Sequence, residues 1–99
     1  MGVKMNEMGT RRWRNREAIQ FRRLVDGGIL YDEVGGCVHH LNGVAVLIWE
    51  AAGPGGTVSE MVNHVCRSYD APAAQVEEDV VDIVRQLSVA GALNDLDLS

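Results

Sequence analysis

The chain is poor in the features that mark export, membranes and metal or nucleotide chemistry. It holds two cysteines, Cys37 and Cys66, in 99 residues. Two thiols do not make the disulfide framework of a small secreted scaffold, so both are expected to be buried and free, in a reducing compartment. Apolar runs are short as well. The longest, Val44 to Trp49, has six residues, against the ~18 that a membrane span needs. No apolar segment of the secretory type opens the chain, which makes the cytoplasm the expected location. Basic residues nearly vanish after residue 23, where only Arg67 and Arg85 stand against twelve carboxylates. So acidic a body repels a phosphate backbone, and nucleic acid is not an expected partner.

Motifs with a defined chemistry are missing too. There is no CxxC, HxxxH or HExxH spacing, and His39 and His40 are adjacent in a predicted strand, so they point to opposite faces and cannot share one ion. The same alternation puts the side chain of Cys37's immediate neighbour on the other face, and no buried Asp or Asn can be named to orient a thiol–imidazole pair. The glycine pairs 27–28 and 35–36 and the run Gly53-Pro54-Gly55-Gly56 match neither GxGxxG nor GxxxxGK[ST], so no nucleotide site is expected. Glu77, Glu78, Asp79 and Asp82 read as a solvated helix face. The chain is expected to be no enzyme and to carry no metal or cofactor.

What is present is a clear order of elements. An apolar fraction of 46% suits one folded domain. Residues 1–17 form a basic arm, expected to be flexible, with seven cations in the first 23 residues against Glu7 and Glu17. In that arm Arg11, Arg12, Arg14 and an exposed Trp13 are candidates for docking an acidic partner. Residues 18–94 form the domain, and 95–99 an acidic tail. Strands are predicted over Ile19–Val25, Ile29–Glu33 and Cys37–Leu41, separated by Asp26-Gly27-Gly28 and Gly35-Gly36, as in a small antiparallel meander.

Helices follow. Asn42 is a predicted N-cap for "GVAVLIWEAA", a helix apolar nearly all round and therefore destined for the interior. Thr57-Val58-Ser59-Glu60 is a capping box opening a second helix. Pro72 precedes a third, whose apolar face is Val76, Val80, Ile83, Val84 and Leu87, and which ends at Ala90-Gly91 with Leu93 folding back on the core. The order β-β-β-α-α-α describes an α+β fold, a meander packed on one side by helices.

The run from Leu30 to Leu93 resembles the PqqD-like family of small peptide chaperones. The likeness is carried by Leu41-Asn42 at a strand end, Ile48-Trp49-Glu50 closing the apolar helix and "TVSEM" after a glycine stop. The Tyr69-Asp70 turn and the final "VEEDVVDIVRQLSVAGAL" complete it. Their fold is also called the RiPP recognition element, after ribosomally made, post-translationally modified peptides. The resemblance implies a winged-helix-like fold, a three-stranded antiparallel sheet followed by a three-helix bundle. It also implies a partner: the leader segment of a precursor peptide, delivered to a radical S-adenosylmethionine enzyme, a cyclodehydratase or a leader peptidase.

In this family the leader adds as a strand to the exposed edge of the third strand. Here that edge is Cys37, Val38, His39, His40 and Leu41, and the facing wall is placed on Val81, Val84, Arg85 and Ser88 of the third helix. Arg85 is set to meet an acidic leader residue. A short peptide strand implies micromolar to high-nanomolar affinity. Two other readings share the architecture. A winged-helix DNA-binding regulator needs a basic recognition helix, whereas the second helix offers only His64 and Arg67 and the third is acidic. A structural subunit would dimerise through the same strand edge, so monomer and homodimer are both open.

Overall fold

In the computed structural model, residues 11–96 are described. Their order is β1 (Arg12–Asn15), β2 (Ile19–Leu24), β3 (Gly27–Asp32), β4 (Cys37–Leu41), α1 (Gly43–Ala52), β5 (Gly56–Thr57), α2 (Val58–Ser68), α3 (Ala73–Val89) and β6 (Leu93–Asp95). Strands β2, β3 and β4 make the predicted antiparallel meander, with β3 central. Its register sets Leu30 of β3 opposite Phe21 on one side and His39 on the other. Leu30 is fully buried, so this is the helix-facing side of the sheet.

The first turn sits hard against the strand end that follows. Gly27 has φ +144°, and a Cβ there would stand 2.0 Å from the carbonyl oxygen of Leu41, so only glycine lets the hairpin close onto β4.

Local chemistry starts α1 and α2 and stops α3 as the sequence predicts. The Asn42 Oδ1 accepts the amide of Ala45 at 2.8 Å. Thr57 and Glu60 exchange both bonds of the capping box, at 3.1 and 2.8 Å. α3 closes with Gly91 at φ +82°, its amide donating to Ser88 O and that of Ala92 to Leu87 O. This Schellman pattern satisfies carbonyls that a helix end leaves unpaired. Replacing Asn42 by alanine is expected to destabilise the fold by about 1 kcal/mol, with aspartate nearly neutral, as read from urea unfolding midpoints.

α1 lies at the centre. Ala45, Val46, Ile48, Trp49 and Ala52 are buried, packed with Leu30 and Leu41 from the sheet, Met61 and Val65 from α2, and Val80 and Val84 from α3. Its one charge, Glu50, is exposed and pairs with Arg23 and, at 3.5 Å, with His64.

Two expectations need correction. The first concerns the arm. Arg12–Asn15 is a strand, the middle one of a second small antiparallel sheet ordered β5-β1-β6. Trp13 is only 5% exposed and belongs to the core, so its indole is not a docking surface. The physical reason is alternation: Arg12 and Arg14 point out while Trp13 between them points in. Arg11 pairs with Asp95 at 3.0 Å, which ties the start of the acidic tail down. Residues 1–10 and 97–99, the rest of arm and tail, lie outside the described residues. The second correction concerns the thiols. Both are free, but Cys37 is exposed and Cys66 half-buried, since Cys37 begins a strand at the sheet's rim.

Candidate functional site: an open strand edge and its groove

The β2-β3-β4 sheet has two outer strands, and their sequences treat the edge differently. An unpaired edge is a template for another strand, and proteins usually guard it with charge. β2 is so guarded, by exposed Arg22 and Arg23. β4 reads Cys-Val-His-His-Leu, without a lysine, arginine, carboxylate or proline. Among the described residues, no strand pairs with its outer side. Of the predicted edge residues, His39 and Leu41 face the helices with Leu30, while Val38 and His40 lie on the outer face, Val38 opposite Tyr31. Val38 is 52% exposed.

Beside this edge runs a groove of about 200 Å³. Its sheet side is His39 to Asn42, its floor Ala45 of α1, and its wall Ile83, Gln86, Leu87 and Ala90 of α3. None of the four predicted wall residues lines this groove. Val81 and Val84 are core residues, 6% and 0% exposed. Arg85, at about 100° per residue, points roughly 160° away from Ile83, and Ser88 is half-buried and takes no part in lining the groove. The apolar stripe of α3 is wide enough to touch two neighbours, and sequence alone does not say which edge of the stripe meets β4. Ile83 was legible as part of that stripe. Gln86 and Ala90 were not, because neither is apolar enough to mark a buried face.

The groove lining contains no carboxylate, although α3, which walls it, is acidic overall. Its chemistry is apolar at Leu41, Ala45, Ile83 and Leu87 and polar at His39 and Gln86. Among the described residues, no group of three or more metal-ligating side chains converges.

The sequence from Gly27 to Leu93 matches the model of the family described as coenzyme PQQ synthesis protein D, PqqD. The chain belongs to the PqqD family. The matched span begins at β3 and ends on the first residue of β6, so it holds the groove whole and leaves out β1. Two solved structures share the fold. "TbiB1 in Complex with the TbiA(beta) Leader Peptide" is 25% identical with a TM-score of 0.73, covering 82% of this chain and 94% of that one. "Lasso peptide synthetase B1 complexed with the leader peptide" is 21% identical with a TM-score of 0.67, covering 83% and 96%. No curated protein matches the chain in sequence.

Proposed function

We propose that this PqqD-family chain is a non-catalytic peptide-binding module. It takes the leader segment of a ribosomally made precursor as an added strand along β4 and presents it to a modifying enzyme. The observation that carries the reading is the open, uncharged β4 edge beside a groove in a fold whose solved neighbours hold leader peptides. Main-chain hydrogen bonds along the edge supply affinity, and pockets for alternate side chains supply selectivity. β4 is anchored by Leu41 and the buried α1, so the protein side of the site is ordered before the peptide arrives and little ordering cost falls on it.

The module works in the cytosol, where such precursors are made; no helix among the described residues is long and apolar enough to cross a membrane. The partner enzyme is of the radical S-adenosylmethionine, cyclodehydratase or leader-peptidase kind. Arg12 and Arg14, on the outer side of β1, are the part of the basic segment assigned to docking it; Trp13 is withdrawn from that role.

The test is a two-dimensional NMR titration of the labelled chain with synthetic leaders of precursor peptides encoded beside its gene. Saturable shifts in Cys37–Leu41 and in Ile83–Ala90 are expected. Shifts confined to other surfaces, or an edge already occupied by a second copy of the chain, would refute leader binding at β4.

A further inference from the structure

One flank of α3, from Ile83 to Ala90, walls the groove, and the same flank continues toward the start of the helix. At about 100° per residue, Asp79 stands roughly 20° and Asp82 roughly 40° from the line of Gln86, one on either side of it. Both are exposed. They are three residues apart, so their carboxylates are neighbours that repel each other. Elsewhere carboxylates are engaged: Glu50 by Arg23 and His64, Asp95 by Arg11, and Glu60 by the amide of Thr57. Asp79 and Asp82 have no ion pair among the described residues. Alone they are a solvated face. The open strand edge and apolar cleft they border give them an occupant.

Spacing says which part of that occupant reaches them. An added strand turns every second side chain into the groove, roughly 6.6–6.8 Å apart, while the helical turn from Ile83 back to Asp79 rises about 6 Å. A peptide residue packed on Ile83 and Leu87 therefore has its second neighbour, on one side, level with Asp79 and Asp82. Facing charges set the sign of that neighbour. The start of α1, beside Asn42 on the sheet side, contributes only about half a positive charge, and its Ala45 amide is already taken by Asn42. Arg85, three residues after Asp82, makes no ion pair with it, and Glu78, one turn before Asp82, adds a further negative charge. At the other end of the groove Nη1 of Arg16 lies 3.6 Å from the point a Cβ on Gly91 would occupy, so a cation is favoured at the Asp79 end alone.

We infer that the peptide carries a lysine or arginine two residues from the apolar residue that fills the groove, its charged head held by Asp79 and Asp82. The inference rests on the leader-binding reading and narrows the peptide it takes. A long basic side chain suits the place, since its methylenes lie along the apolar border while the head reaches the carboxylates. Asp79 and Asp82 are specificity-determining residues for that reading.

The test uses short acetylated and amidated peptides on a Thr-Val host strand. Each carries Leu at one position and Lys, Gln or Glu two residues before or after it, and binding is followed by the amide shifts of β4. In one of the two orders the Lys peptide is expected to bind about fivefold more tightly than the Glu peptide, by a margin that shrinks in high salt. That order also reports the direction of the added strand. Both aspartates are exposed, so the double variant Asp79→Asn, Asp82→Asn keeps the fold, and it is expected to abolish the preference. Glu77 points about 180° away from Gln86 and Asp26 lies in the β2–β3 turn, so Glu77→Gln with Asp26→Asn removes the same charge elsewhere and is expected to leave the preference intact. Equal binding of the three peptides in both orders, or an equal loss of preference in the two double variants, with β4 still shifting, overturns the basic residue and leaves leader binding standing. If no peptide moves a β4 amide, leader binding at this edge falls and the basic residue with it.

Discussion

Replacing Trp13 by alanine is expected to cost about 3–5 kcal/mol, the usual range for deleting a buried aromatic ring. In a domain this small, that is a large part of the ~5–15 kcal/mol that holds native proteins together, and Tm should fall by at least ~12 °C. The residue is one of the few large groups in the core, and it sits on the strand that joins β5 to β6. Its Nε1 is buried without a hydrogen-bond partner among the described residues, so Trp13→Phe removes an unpaired donor along with part of the ring and should cost much less, about 1 kcal/mol. Thermal unfolding followed by circular dichroism separates the two. If Trp13→Ala shifts stability by less than about 0.5 kcal/mol, the value of an ordinary surface change, then β1 is the loose arm its composition suggests and the second sheet is not part of the stable fold.

That composition explains why β1 was illegible. "RWRN" carries one apolar residue among polar ones, and one residue shows no period. Its partners, Gly56–Thr57 and Leu93–Asp95, are two and three residues long and lie far along the chain. Pairing of this kind is decided by tertiary contact, which a local reading cannot see. The elements that were legible are those specified locally: the glycine turns of the meander, Asn42, the Thr57–Glu60 box and the stripe of α3. The site divides the same way. The open edge follows from strand order and from the lack of charge in β4, both visible in sequence. Which flank of α3 meets it depends on how the helix rolls against α1 and α2, and Ile83 and Val84, one residue apart, sit at the two borders of that decision.

The flank is where the leader-binding reading is most exposed to test. Ala90 lines the groove yet is itself exposed, so Ala90→Trp fills the cleft without disturbing the core. Ile83→Asp places a charge where an apolar side chain of the leader is to pack, in a position only half-buried. Each is expected to weaken leader binding by about 30-fold or more, roughly 2 kcal/mol, while Tm moves by only a few degrees. Arg85→Glu reverses a charge on the far side of the same helix and is expected to change affinity by less than about twofold, since an exposed charge at that distance is largely screened. Isothermal calorimetry on the three variants, with the leader that shifts β4 in the NMR titration, gives the comparison. Were Arg85→Glu to abolish binding while Ala90→Trp left it intact, the peptide would lie on the other flank of α3, and the open edge of β4 would have to be explained by a second copy of the chain.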